Sequence, residues 1–265
     1  MIGDRNKETQ GGLKAPANAF EAGVTRRYSG EDGEEYHRSK HVIPDKVYAW
    51  VADLRAEKIG PFLREEDTVL EYGVGNGWNL SGLNCHNRLG FDLSEHLKPV
   101  VVDHGIRFIN DISAIADASV DAVVCHHVLE HTAVPTQTLC DIWRVLRPGG
   151  RILLFVPCEE GRRYHRYVSR EPNHHLYSWN VQTLGNLMAD FGFKICSAET
   201  GRFGYDRFSG VAAYRLHLGK TGFRFIRQVL HLFRPVSEVR IVAEVPHPGK
   251  EPQAIPGRKH QERAM

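Results

Sequence analysis

The stretch Val69-Leu70-Glu71-Tyr72-Gly73-Val74-Gly75-Asn76-Gly77 decides the fold. Its apolar opening reads as a buried strand, and three glycines at alternate positions follow at once. Glycine accepts the left-handed backbone that a tight turn needs and lets a ligand approach the chain closely. The helix expected after the turn presents unsatisfied N–H groups, so strand, turn and helix together form a polar cradle.

Outward from this loop, short apolar runs alternate with longer amphipathic ones. A helical pattern covers Glu34 to Leu63, with Val47, Trp50, Val51 and Leu54 at helical spacing and Gly60-Pro61 as its stop. Thr68 to Tyr72 is the first predicted strand, Arg88 to Phe91 the second, Ile106 to Ile109 the third and Val120 to Cys125 the fourth. A helix around Thr136 to Leu146 precedes a fifth strand at Gly150 to Val156. A further helix at Asn180 to Phe191 leads into a strand at Phe193 to Ala198. Phe223 to Phe233 reads as a helix and Val239 to Val245 as the last strand. Such alternation implies βαβ units and a mainly parallel sheet. Residues 1–33 are polar and Gly-rich and are expected to be a flexible lead-in. The main domain then spans residues 34–245, with acceptor-side insertions around 157–180 and 201–235 and a disordered tail at 246–265.

A glycine-rich turn also serves dinucleotide enzymes, but their fingerprint puts a third glycine where this chain has Trp78. The second strand ends in Asp92, whose carboxylate can accept hydrogen bonds from both hydroxyls of an adenosine ribose. Asp111, after the third strand, is placed to reach the adenine amino group. Each has a structural alternative: the glycines as a plain turn, Asp92 as a helix N-cap, Asp111 as a loop residue.

VLEYGVGNG, GFDLS, FINDI, VDAVVCHHVLEH and RVLRPGGRILLFVP stand in this order over roughly residues 66–200. In that register the chain resembles the class I S-adenosylmethionine-dependent methyltransferases. The resemblance implies an α/β, Rossmann-like fold: a seven-stranded, mainly parallel sheet with helices on both faces and its last strand antiparallel. It implies S-adenosyl-L-methionine as cofactor. Carried over, Glu71, Gly73, Gly75 and Gly77 hold the methionine end, Asp92 with Leu93 the ribose, and Asp111 with Ile112 the adenine. His126 lies beside the reacting sulfonium. Glu71 stands where the family more often has Asp, and the short span from Gly77 to Asp92 leaves room for only a clipped helix.

The chain has 15 histidines, which raises a metal reading. His127-Val128-Leu129-Glu130-His131 matches the H-x-x-E-H pattern of zinc peptidases, in which two histidines on one helical face bind Zn²⁺. The match follows directly on a buried strand beside a cofactor site, and V-L-E-H belongs to the methyltransferase resemblance. No metal ligand is therefore assigned, and Glu130 and His131 are expected to brace a short helix. A second cluster runs from Arg162 to Trp179. Its His175 is the expected general base toward a hydroxyl acceptor, with His131 and His127 as the other candidates. Arg162, Arg163 and Arg166 either meet an anionic acceptor or form a solvated charge run.

Composition narrows the rest. Lys plus Arg (34) exceeds Asp plus Glu (32) by only two, which gives no electrostatic footprint for nucleic acid. No apolar run reaches the length of a bilayer span, and the N-terminus lacks the apolar core of a signal peptide. The five cysteines show no CxxC pair and are expected to be buried, reduced thiols of a cytoplasmic protein. The expected function is methyl transfer, on oxygen, to a small-molecule, saccharide or lipid acceptor. The alternative is a catalytically silent binder of the same cofactor.

Overall fold

The computed structural model describes residues 17–40, 43–159, 166–169, 171 and 173–248. Its strands are β1 (Thr68–Tyr72), β2 (Asn87–Phe91), β3 (Arg107–Ile109), β4 (Val120–His126), β5 (Leu146–Pro157), β6 (Lys194–Arg202) and β7 (Ser237–Glu244). They form one seven-stranded sheet in the order β3-β2-β1-β4-β5-β7-β6. Neighbours from β3 to β5 run parallel, and β7 runs antiparallel to both β5 and β6. This is the Rossmann-like sheet that the resemblance implies.

Side chains alternate across a strand, so each strand serves two cores. Leu70, Val123, Cys125 and Leu154 pack on one face against Leu139 and Ile142 of α6 (Pro135–Val145) and Leu184 and Met188 of α7 (Val181–Asp190). Val69, Val124, Leu153 and Phe155 pack on the other against Ile59 of α3 (Asp45–Ile59), Leu80, and Val101 of α5 (Lys98–Asp103). Val47, Trp50 and Val51 of α3 also bury against Ala213 of α8 (Asp206–Arg215) and Phe223 of α9 (Gly219–Phe233). The helix after the glycine loop, α4 (Trp78–Ser81), is a single turn, as the short span to Asp92 requires. Among the described residues, no helix is long and apolar enough to cross a membrane.

Three expectations need correction. Residues 17–33 are not a loose lead-in: α1 (Ala17–Arg27) and α2 (Gly30–Lys40) occupy most of them. Their faces are polar, with Val24 and Gly33 buried, so no apolar period marks them. Strand β5 starts at Leu146, four residues before Gly150, because Leu146 already pairs with Val120 ahead of a register shift. Cys85 and Cys125 are buried, Cys158 is half-buried, and Cys140 and Cys196 are exposed, so burial does not hold for all five free thiols. The expected tail lies outside the described residues from position 249 on.

Candidate active site

A cavity of about 520 Å³ opens beyond the carboxyl ends of β1, β2 and β4, within the range of ligand pockets. The glycine loop forms its floor. Gly73 has φ +79°, and a Cβ there would overlap the Val128 side chain. Gly75 has φ +51° with open space beside it. Both line the cavity, while Gly77 does not. Gly77 caps α4 in the left-handed conformation, and a Cβ would stand 2.8 Å from Ile106 Cδ1.

Asp92 stands at the rim of the loop, lining the cavity and 8% exposed. Its Oδ2 accepts from Gly75 N at 2.9 Å and its Oδ1 from Ser94 N at 3.0 Å. Burial raises its pKa, against the lowering by these backbone donors. Each oxygen retains a lone pair, so the bracing role and a role toward ribose hydroxyls are compatible. Leu93 and Ile112 also line the cavity. Asp111 does not: it is exposed and accepts from Ser113 N at 2.9 Å, capping a short 3₁₀ turn. Glu71 is fully buried beneath the loop and bonded to Asn79, which in turn accepts from Arg55 Nη1 at 2.9 Å. Burial lifts its pKa to about 8, and the side chain does not line the cavity. In this structure Glu71 ties the loop to α3 and α4.

Beyond β4 the sheet delivers a histidine pair. His126 and His127 both line the cavity, with ring centroids 4.5 Å apart. His127 has φ +57°, which turns it off the strand direction. Its Nε2 lies 3.1 Å from Glu238 Oε2 on β7, and Lys58 Nζ of α3 lies 2.9 Å from Glu238 Oε1 and 2.8 Å from His126 Nε2. Glu238 is wholly buried; burial alone would raise its pKa, but the His127 hydrogen bond and the Lys58 charge bring it down to about 2. Burial lowers His127 to about 4, and burial with the Lys58 charge holds His126 well below its usual range. Burial also brings Lys58 down to about 8. Arg240 Nε also reaches Glu238 Oε1 at 2.8 Å, so near neutral pH the cluster is a carboxylate between an ammonium and a guanidinium, flanked by two neutral imidazoles. With Nε2–H donated to Glu238, His127 keeps its Nδ1 lone pair.

The other expected bases are close by. His131 lines the cavity and its Nδ1 sits 3.0 Å from the Tyr28 hydroxyl of the segment joining α1 to α2. His175 packs edge-on against His131 at 4.8 Å and bonds through Nδ1 to Glu159 at 3.0 Å. It is not among the cavity-lining residues. The H-x-x-E-H residues do not share one helical face: Leu129–His131 is a 3₁₀ turn, His127 Nδ1 and His131 Nε2 each lie 3.8 Å from Glu130 Oε1, and their other ring nitrogens face Glu238 and Tyr28. Arg162 and Arg163 lie outside the described residues, and Arg166 is exposed.

Sequence reasoning missed the cavity's second wall. Val24, Thr25, Tyr28, Tyr36 and His37 come from α1, α2 and their junction. Tyr28 and Tyr36 pack edge to face at 5.1 Å. Two aromatics eight residues apart in a polar stretch are the signal that was there to be found. Lys58 and Glu238 carried none, since they meet across 180 residues.

The profile of a family described as a methyltransferase domain matches residues 46–198, more than half of the chain. The chain belongs to this family. The methyltransferase is 38% identical over 55 residues to a ubiquinone biosynthesis O-methyltransferase of Xanthomonas oryzae pv. oryzae, covering 21% of this chain and 23% of the relative. It is 31% identical over 134 residues to a probable S-adenosylmethionine-dependent methyltransferase of Mycolicibacterium smegmatis, covering 48% and 52%. These alignments span from about a quarter to about half of the relatives' lengths. In fold it is similar to the Burkholderia thailandensis 1,6-didemethyltoxoflavin-N1-methyltransferase, with a TM-score of 0.57 at 18% identity over 90% of this chain and 93% of that one.

Proposed function

We propose that this methyltransferase uses S-adenosyl-L-methionine to methylate a hydroxyl of a small, largely apolar acceptor, in the cytoplasm. The observation that carries the reading is the union, in one cavity, of the Gly73–Gly75 floor, the Asp92 carboxylate and the His127–Glu238 pair. The cofactor supplies a methyl group on a sulfonium, an excellent leaving group, so the protein has mainly to align the acceptor and exclude water. Gly73 and Gly75 hold the methionine end and Asp92 the ribose, and Leu93 and Ile112 flank the adenine.

The acceptor enters between this floor and the Tyr28–Tyr36 wall. Those walls carry aromatic and aliphatic side chains, with Val24 and Val134 beside the tyrosines, and so suit an apolar ring or chain better than a charged one. His127 takes the acceptor proton on Nδ1, and Glu238 fixes its tautomer and stabilises the imidazolium. A base is of use to an oxygen acceptor, and the Xanthomonas relative is named an O-methyltransferase. His131 and Tyr28 orient the acceptor, with His175 buttressing His131. The test is a screen of cell extracts with isotope-labelled cofactor and mass identification of the labelled product. Label in the methyl of an aryl or alkyl methyl ether supports the reading, and label found only on nitrogen or carbon overturns it.

A further inference from the structure

Helix α9 buries Phe223 against α3 and turns a row of basic side chains towards acids of α3 and α8. Lys220, Arg224, Arg227 and His231 recur at helical spacing on one side. Lys220 Nζ reaches Asp53 of α3 at 2.6 Å, Arg224 pairs with Glu57 of α3, and Arg227 Nε reaches Asp206 of α8 at 2.7 Å. His231 is buried. At about 100° per residue, the opposite side carries Leu218, Phe225, Val229 and Leu232, with Phe233 beside them. Phe225 is 68% exposed, Leu232 69% and Phe233 85%. Helix α9 therefore carries, besides the Phe223 side that is buried in the core, a second apolar stripe that is left exposed.

The neighbouring chain extends the pattern. Phe208, Leu216 and Val236 are also exposed, and together these residues form the densest run of exposed large apolar side chains among the described residues. Between positions 205 and 236 the sequence holds six Arg or Lys against one carboxylate, Asp206. Three of those cations are spent on α3 and α8, while Arg207, Arg215 and Arg234 form no ion pair among the described residues. Exposed apolar residues interspersed with unpaired arginines match an anionic lipid surface, where the rings enter the headgroup boundary and the guanidinium groups meet phosphates. A second copy on a two-fold axis would set the same arginines against one another.

We propose that the α8–α9 hairpin is a peripheral binding surface for anionic lipid membranes. It adjoins the acceptor side of the cavity: Val236 accepts a hydrogen bond from Phe203 N at 2.9 Å, and the Phe203 ring packs on His127 at 4.2 Å. Membrane contact would therefore bring the site to a bilayer, although the proposal holds for the surface whatever the acceptor is.

The test is flotation of the full chain with vesicles of phosphatidylcholine alone or mixed with phosphatidylglycerol, at low and at high salt. Binding is expected to the anionic vesicles and to weaken with salt. The exposed-face variant Phe225→Ser/Leu232→Ser/Phe233→Ser should lose it. Arg215→Gln and Arg234→Gln should each lower partitioning about fivefold, the equivalent of ~1 kcal/mol per basic residue near the surface. All variants should keep the parent melting temperature, because the altered side chains are exposed. Failure of the parent protein to float with anionic vesicles at low salt overturns the proposal. So does a dimer in sedimentation that the triple variant abolishes, since a second copy then covers the face.

Discussion

His127 Nε2 and Glu238 Oε2 lie 3.1 Å apart although 111 residues separate them in the chain. One directly follows the last residue of β4 and the other stands near the start of β7, so the strand that runs antiparallel to its neighbours brings the carboxylate to the site. Glu238→Gln should remove the tautomer lock on His127 and leave Lys58 with a buried, uncompensated charge. Breaking a buried ion pair from one side costs about 3–5 kcal/mol. The loss is measured by denaturant unfolding. Turnover should fall in the same variant with cofactor affinity preserved, and a variant as active as the parent would remove His127 from the proposed chemistry.

The same cluster sets an acid limit on stability. The unfolded chain protonates His127 near its usual pKa of about 6.5, whereas the folded protein binds that proton only near 4. Stability should therefore decline as pH falls from about 6.5 towards 4. Glu238 adds to the loss lower down: its folded pKa of about 2 lies below the ordinary carboxylate value, so its contribution disappears as pH falls from about 4.5 to 2. His127→Gln should reduce the upper part of the melting temperature against pH, with His126 supplying the remainder, and should also shrink the lower part, because the His127 hydrogen bond is among the causes that lower Glu238.

Asp92→Ala should weaken S-adenosylhomocysteine binding by about tenfold to a hundredfold, since a hydrogen bond to a charged acceptor is worth roughly 1.5–3 kcal/mol. Because Asp92 also accepts from Gly75 N and Ser94 N, the loop should lose some stability as well. Calorimetric titration and thermal melting separate the two effects. Unchanged affinity with lowered stability would make Asp92 a brace only.

Gly73→Ala and Gly75→Ala discriminate backbone strain from packing. Both positions are left-handed, at a cost of roughly 1–2 kcal/mol for an L-residue. Only at Gly73 does the new methyl also overlap Val128, so Gly73→Ala should be the more destabilising. Equal melting temperatures for the two variants would contradict this account of the loop.

The strands and the loop were legible because they are local: apolar runs of a few residues, glycines where the backbone must turn, an acid at a strand end. Asp92 and Ile112, just beyond the ends of β2 and β3, line the cavity for the same reason. Glu71 does not line it, because side chains alternate on β1 and its neighbour Tyr72 faces the cavity in its place. His175 sits one ring behind His131 because loops after β5 are positioned by contacts no spacing reveals. Helix α1 and the first turn of α2 were illegible since they bury little, and the part of α2 from Glu34 on fell within the predicted helical stretch without showing its role in covering the cavity through Tyr36.

The central claim is that the cavity at the glycine loop binds S-adenosylmethionine, and titration of the protein with S-adenosylhomocysteine tests it most directly. Binding at one site per chain is expected, with a rise in stability of about 2.7 kcal/mol at a hundredfold excess over Kd, and with no comparable effect from NAD. Absence of both binding heat and a melting shift at millimolar S-adenosylhomocysteine would contradict it.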